Sequence, residues 1–388
     1  MTASHIELAA DLNIKFDLSL FILSSQYKHA LKSKLNIFRQ NNILENKTNT
    51  TFISVSKKQE ICIYEDRLKK EFEGKRVWLK KTSGTSGERT NIYYDDNFYF
   101  EQLFLNIHKI LCKFDPTFET KKFNIVSVMG NSKWGDELFI DPCNIGIAHY
   151  RLSFDERNLS TVTRFLEKIN VLQPKVLILK PSLFLALAKC MELLELGFNF
   201  EVDLVISSGQ YLDTVTESMI SEMLSCSIYD CYIASESGLI GWRNSSQSVF
   251  NLDRSNISEI YVNEEGRLLV STNSNSVIGL VNYTIGDKGR IIDSEHFILN
   301  ESRVVPVVTN EKNQIFDLSR FDYIAFEVLL ALDYKIEVTN DFFNIYLDSC
   351  VETSKIHEVV SEFFNTNKFK VFPIEEAPKK LKSRYSIK

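Results

Sequence analysis

The sequence predicts an α/β protein with a large N-terminal domain (1–300), built on a mostly parallel sheet covered by helices, and a small α+β C-terminal domain (301–388). Short apolar runs alternate with helical patterns between residues 123 and 233, as expected of strand–helix–strand units whose sheet is buried on both faces. Beyond Phe250 the texture changes to short strands separated by polar turns, which reads as a β-rich subdomain at about 250–300. With 388 residues, 44% of them hydrophobic, the chain is long enough to build more than one core.

Local signals justify each element in turn. Phe123 to Met129 (FNIVSVM) reads as a buried strand, and Asn158 to Ile169 has helical spacing with Asp155 and Glu156 near its start. Lys175 to Leu179 (KVLIL) is a strand again, followed by a helix that Pro181-Ser182 opens, that runs from Leu183 to Leu196 and that Gly197 closes. The strand Leu204 to Ser207, the helix Thr214 to Leu224 and a strand around Ser227 to Ile233 complete the alternation. Glu259 to Val262, Arg267 to Thr272, Val277 to Tyr283 and Gly289 to Ile292 read as the strands of the β-rich part. A boundary falls near Asp293 to Arg303, and the last stretch carries strands at Lys335 to Val338 and Phe343 to Leu347, a helix near Ser354 to Phe364 and a basic tail.

Charge and cysteine content narrow the function classes. A net charge of −6 argues against a nonspecific nucleic-acid binder, which carries an excess of Lys and Arg. No stretch approaches the roughly 18–20 apolar residues needed to cross a bilayer, and the apolar Leu18 to Leu23 follows mixed charges rather than a basic leader. Seven scattered cysteines, an odd number, fit reduced thiols and a cytoplasmic protein. Cys226 and Cys231 have no nearby paired Cys or His, so they do not read as a zinc site. His149 reads as a core histidine or as a wall of a substrate pocket, and Trp134 and Trp242 as pocket or core aromatics.

The strongest chemical signal is Lys80 to Thr90, KKTSGTSGERT. Hydroxyls at Thr82, Ser83, Thr85, Ser86 and Thr90 interleave with Gly84 and Gly87, so backbone amides and hydroxyls can turn together toward phosphate oxygens. Taken alone such a run is more often a polar loop, and it lacks the spacing of a Walker A motif. Its order nevertheless resembles the phosphate-binding loop of the adenylate-forming superfamily, Ser/Thr-Ser-Gly-Thr-Thr/Ser-Gly. The short form Thr82-Ser83-Gly84-Thr85-Ser86-Gly87 looks most like the phenylacetate-CoA ligase branch.

Companion motifs follow in the family's order. Ser207-Ser208-Gly209-Gln210 is similar to the segment beside adenine and the acyl pocket, and Tyr232-Ile233-Ala234-Ser235-Glu236 to the Tyr-Gly-x-Thr/Ser-Glu motif. The resemblance implies that Tyr232 packs on adenine, Ser235 contacts phosphate and Glu236 holds Mg²⁺, a hard cation suited to carboxylate oxygen. Tyr283-Thr284-Ile285-Gly286-Asp287 is similar to Tyr-x-Thr-Gly-Asp, whose aspartate accepts from the ribose hydroxyls; the bare residues read equally as a hairpin turn. Lys382-Ser383-Arg384 is similar to the Gly-Lys-x-x-Arg signature, and Arg303, in competition with Arg290, is the nearest match to the hinge arginine. Ile233, Ile285 and Leu381 depart from the family's pattern, and Arg384 comes one residue early.

The resemblance implies a large adenylate-forming domain with a small mobile C-terminal domain. It implies ATP-dependent activation of a small carboxylic acid, then transfer to coenzyme A or a carrier-protein phosphopantetheine, in secondary metabolism. The implied catalytic residues are Lys382, Glu236 and Thr85, and the nucleotide-binding set is Thr82 through Gly87, Gly209, Gln210, Tyr232, Ser235, Asp287 and Arg303, with Glu236 on the metal. An acyl carrier protein or another biosynthetic enzyme is the macromolecular partner it allows. The departures also motivate an alternative, a degenerate ligase-fold protein that binds nucleotide or a partner without full catalysis.

Overall fold

The computed structural model describes residues 2–40, 53–55, 76–81, 91–130, 135–156, 158–272, 278–301, 307–312, 314–318, 321, 324–329, 331, 333–339, 342–349, 351–377 and 385–387. The strands up to the middle of the chain are β1 (Lys15–Phe16), β2 (Ile53–Val55), β3 (Trp78–Lys81), β4 (Asn91–Tyr94), β5 (Phe123–Gly130), β6 (Glu137–Ile140), β7 (Ile147–Phe154), β8 (Val176–Leu179), β9 (Leu204–Ser208) and β10 (Ser227–Ala234). The helices are α1 (Thr2–Asp11), α2 (Leu18–Gln26), α3 (Lys28–Arg39), α4 (Asp96–Phe100), α5 (Asn106–Phe114), α6 (Leu159–Leu172), α7 (Pro181–Leu194), α8 (Thr214–Leu224) and α9 (Thr353–Phe364). A π-helical turn, Glu101–Leu105, joins α4 to α5.

Strands β7, β5, β8, β9 and β10 lie side by side and parallel. Their side chains alternate between two cores: Val126, Leu177 and Val205 face α6 and α7, while Ile125, Val176 and Leu204 face α3 and the α4–α5 segment. This period of two, with both phases apolar, is why the strands read as continuous hydrophobic runs. Helix α6 starts where Asn158 accepts from the Ser160 amide at 3.2 Å and buries Val162, Phe165, Leu166, Ile169 and Leu172 on one stripe. Helix α7 ends earlier than the sequence predicts. The chain turns left-handed at Glu195 (φ 54°), and the Leu196 amide bonds back to the Met191 carbonyl at 3.1 Å, so Gly197 is not the cap.

The β-rich part continues the same sheet. Strands β11 (Gly238–Asn244), β12 (Phe250–Leu252), β13 (Ile257–Val262), β14 (Arg267–Thr272), β15 (Ile278–Leu280), β16 (Tyr283–Ile291) and β17 (His296–Glu301) follow. All but β15 extend the parallel strands, giving a 13-stranded order β1-β6-β7-β5-β8-β9-β10-β11-β12-β17-β16-β14-β13. The single strand expected over Val277 to Tyr283 is instead two, because Asn282 turns left-handed (φ 48°) with its amide on the Ser271 hydroxyl at 3.0 Å. Where β11 meets β12 and β17, a Cβ on Gly241 would lie 2.6 Å from the Phe297 ring and 2.7 Å from the Asn251 carbonyl oxygen. Gly241→Ala is therefore expected to destabilise the chain by about 1–3 kcal/mol. A urea midpoint unchanged from wild type would show that these strands can part freely.

Beyond residue 306, β18 (Val307–Thr309) and β19 (Ile315–Asp317) pair with each other, and β20 (Asp333–Thr339), β21 (Phe342–Asp348), β22 (Phe369–Pro373) and β23 (Tyr385–Ile387) form a sheet in the order β22-β21-β20-β23. Helix α9 buries Ile356, Val360, Phe363 and Phe364 in a core that also holds Phe316, Phe321 and Phe343. Alternation along β19 places Phe316 in this core and Ile315 in the core under α7. No helix among the described residues is long and apolar enough to cross a membrane.

Candidate active site

The parallel strands end along one edge, where open α/β sheets present their ligand-binding turns. There β10 ends at Ala234 and the chain reverses through Ser235, Glu236 and Ser237 into β11. Three side chains from distant parts of the sequence fasten this reversal. Tyr94 donates its hydroxyl to the Ser235 carbonyl at 2.8 Å, and the Asn256 amide donates to the carbonyls of Ser237 and Leu239 at 2.6 and 2.7 Å. Tyr283 donates to Glu236 Oε1 at 3.2 Å. Burial and the charge of Glu236 push the Tyr94 hydroxyl well above its ordinary value, so it stays a donor.

Tyr94 is also the last residue of β4, which pairs antiparallel with β3 from Trp78↔Tyr94 to Lys81↔Asn91. The glycine- and hydroxyl-rich segment lies in sequence between these two strands, so a strand that flanks it is joined through Tyr94 to the Glu236 turn. Thr82, Ser83, Gly84, Thr85, Ser86 and Gly87 themselves lie outside the described residues, as do Trp134, Arg303 and Lys382.

Strand β16 brings the next motif to the same place. Gly286 takes φ +98°, and the register between β14 and β16 shifts there, so Gly286-Asp287 forms an irregularity inside one strand rather than a hairpin turn. Tyr232 packs its ring near Phe250 and Phe297, with centroids at 6.3 and 6.0 Å, and donates its hydroxyl to Asp287 Oδ2 at 2.8 Å. The expected adenine-side tyrosine and the expected ribose aspartate are thus bonded to each other. Gly209 follows β9 on the neighbouring strand, beside Lys180. Gln210 turns the other way, its Oε1 accepting from the Ser182 amide at 3.0 Å at the start of α7.

Buried ion pairs brace this edge. Lys109 of α5 reaches Asp253 Oδ2 at 2.5 Å, with both side chains almost wholly buried, and Asp253 Oδ1 accepts from the Ser255 hydroxyl at 2.5 Å. Asn256, which clamps the Glu236 turn, is the next residue along. Beneath, Arg243 grips Asp230 through Nε and Nη2 at 3.1 and 2.9 Å, tying β11 to β10. Burial pushes Asp230 up to about 6 even with Arg243 pulling it back. Tyr94, Asn256 and the Lys109–Asp253 pair belong to no motif of the sequence; the one local signal is a tyrosine shortly after the glycine- and hydroxyl-rich run.

His149 is 3% exposed on β7 and is hydrogen-bonded through Nε2 to Ser127 Oγ at 2.7 Å, the hydrogen-bonded core reading of this residue. Burial, then Arg151 and His108, push its imidazole down to about 3 from 6.5, against the opposing charge of Asp141. The neutral ring is therefore a source of stability that is fully present above pH 6.5 and lost as the pH falls from there toward 3. In that window wild type is expected to lose up to about 1.4 kcal/mol per pH unit more than His149→Gln. Parallel stability–pH slopes for the two proteins would refute it. Trp242 sits near the Tyr229 ring at 6.1 Å and the Lys113 ammonium at 5.5 Å, packed against the core on the α5 side.

No family model and no curated protein matches the sequence. Among solved structures, the chain is similar to a 2-hydroxyisobutyryl-CoA ligase in complex with 2-HIB-AMP and CoA in the thioesterification state, with TM-score 0.52 and 13% identity over 96% of this chain and 89% of that one. An open conformation of that ligase with the same ligands gives 0.49 and 12% over 94% and 90%. An anthranilate CoA ligase in complex with anthranoyl-AMP gives 0.39 and 11% over 79% and 65%. The first of these establishes the fold: the chain has the architecture of the adenylate-forming ligases, as its motifs imply.

Proposed function

We propose that this chain activates a small carboxylic acid with ATP through an acyl-adenylate and passes the acyl group to a thiol, in the manner of phenylacetate-CoA ligase-like enzymes of secondary metabolism. The observation that carries the reading is the junction of three motifs: Tyr232 bonded to Asp287 at 2.8 Å, Tyr283 to Glu236 at 3.2 Å, and Tyr94 to the Ser235 carbonyl at 2.8 Å. A nucleotide needs its base, ribose and phosphates recognised at one place, and these hydrogen bonds between the Tyr232–Glu236 segment, the Tyr283–Asp287 segment and the end of β4 support a common site for them.

In this reading a carboxylate oxygen attacks the α-phosphorus, pyrophosphate leaves, and a thiol sulfur then attacks the acyl carbonyl to release AMP. Asp287 accepts from the ribose hydroxyls with the lone pairs that Tyr232 leaves. Amides and hydroxyls of Thr82 through Gly87 hold the polyphosphate, with Thr85 counted among the catalytic groups, and Ser235 adds a hydroxyl. The Lys382 ammonium meets charge developing between carboxylate and phosphate, and Arg303 serves the hinge. Glu236 fits a magnesium ion in donor chemistry, a carboxylate aimed by a phenol at the sheet edge, and Mg²⁺ bound there would neutralise phosphate charge. The thiol is that of coenzyme A or of a carrier-protein phosphopantetheine.

Pyrophosphate release on adding ATP and Mg²⁺ with a panel of aryl and fatty acids tests the proposal, with hydroxylamine trapping the acyl group. Acid-dependent release is the expected result. ATP binding without release for any acid would overturn it in favour of a nucleotide-binding protein without turnover.

A further inference from the structure

Away from the sheet edge, three donor side chains of different chemistry converge where α5 meets the turn between β6 and β7. The His108 ring nitrogen Nε2 pairs with Asp141 Oδ2, and Cys143 Sγ lies with them, all three ligand atoms within 4.8 Å of one another. We propose that His108, Asp141 and Cys143 form a binding site for a zinc-class divalent cation that staples α5 to the β6–β7 turn.

The geometry around the three donors is built rather than incidental. Asp141 Oδ1 accepts from the Cys143 and Asn144 amides at 2.7 and 3.0 Å, which fixes the carboxylate and leaves Oδ2 facing His108. Pro142 stands between Asp141 and Cys143, so two of the donors ride on one short, stiff turn. His108 comes from the facing helix with its side chain 2% exposed, and its ring lies near Phe118, centroids 5.3 Å apart. All three donor atoms lie within 4.8 Å of one another, so modest side-chain shifts would bring them onto one tetrahedral ion.

Donor chemistry selects the metal. One imidazole nitrogen, one carboxylate oxygen and one sulfur suit zinc or cobalt and reject magnesium and calcium, which take oxygen alone. The sulfur binds a cation as the thiolate, so its proton leaves as the ion enters. Three protein ligands leave a fourth position for water. Cys143 is half-buried, which provides the entry side, and its sulfur lies 4.0 Å from the Lys28 carbonyl at the start of α3. The site adjoins Lys109, so the ion and the Lys109–Asp253 pair would anchor the same helix. Cys226 and Cys231 take no part.

The test uses the full chain stripped of metal with a chelator and titrated with Co²⁺, without ATP or acid, so its outcome is independent of the proposed ligase activity. A sulfur-to-cobalt charge-transfer band saturating at about one ion per chain is expected. Cys143→Ser, a conservative change at a half-buried position, should abolish that band, and His108→Gln should weaken binding about 10–100-fold. Zn²⁺ should raise the melting temperature of wild type and not of Cys143→Ser. Absence of the band in wild type, or its persistence in Cys143→Ser, would overturn the assignment.

Discussion

Glu236→Gln is expected to lower the rate of ATP-dependent pyrophosphate release by about 10²–10³-fold while leaving folding stability within about 0.5 kcal/mol of wild type. The two effects separate because the observed contact of the side chain and its proposed role make different demands on it. The amide oxygen of glutamine can still accept from Tyr283, now 3.2 Å from Glu236 Oε1, so the turn keeps its fastening. What disappears is the negative charge that would hold a magnesium ion against the phosphates. Tyr283→Phe makes the opposite change, leaving the charge and removing its guide, and should cost about tenfold, near the net value of one hydrogen bond to an ion. Release rates of the Glu236→Gln enzyme within tenfold of wild type, measured with saturating ATP, would remove Glu236 from the mechanism.

Lys109→Met should be the most destabilising single change at the site, by about 3–5 kcal/mol. Asp253 is fully buried, and its Oδ2 has Lys109 Nζ at 2.5 Å, so methionine strands a carboxylate in the interior. The stem of the lysine is already packed, with the ammonium 5.5 Å from the Phe38 ring, so shape is largely kept and charge is what is lost. The double variant Lys109→Met with Asp253→Asn is expected to recover much of the loss, because an amide is far less costly to bury unpaired than a carboxylate. A chemical-denaturation loss below about 1 kcal/mol, or no recovery in the double variant, would contradict the ion pair's role.

How far the fold could be read depended on how local its determinants are. Val126, Leu177 and Val205 alternate with Ile125, Val176 and Leu204 within single strands, so the buried parallel sheet was written in short runs. Thr214–Leu224 came out with the expected bounds because Asp213 caps it and accepts from Val215 and Thr216, a signal contained in four residues. The continuity of the β-rich strands with that sheet was not legible. It depends on Gly241 letting Phe297 and Asn251 approach, a contact between segments far apart in the chain. The same division holds at the site. Tyr232, Glu236 and Asp287 stood out because each sits in a short motif, whereas Tyr94 and Asn256 act across long separations from positions with no motif of their own. Gln210 also stands out by its motif, and its amide oxygen accepts from the start of a helix, a contact that the motif does not announce.

Strand β19 has one side in each of two cores, with Ile315 1% exposed beneath α7 and Phe316 fully buried against α9. Such a strand sets an energy gap between conformers. Moving the C-terminal core as a body requires either withdrawing Ile315 from beneath α7 or bending the chain beyond Asp317. Withdrawal of that one side chain costs about 1.5–3 kcal/mol, so a conformer rearranged in that way alone would hold roughly 0.6–7% of the population. A ligand that favoured such a form would need a differential affinity of about 10–150-fold to bring it level with the other, and roughly ten times more to make it dominant.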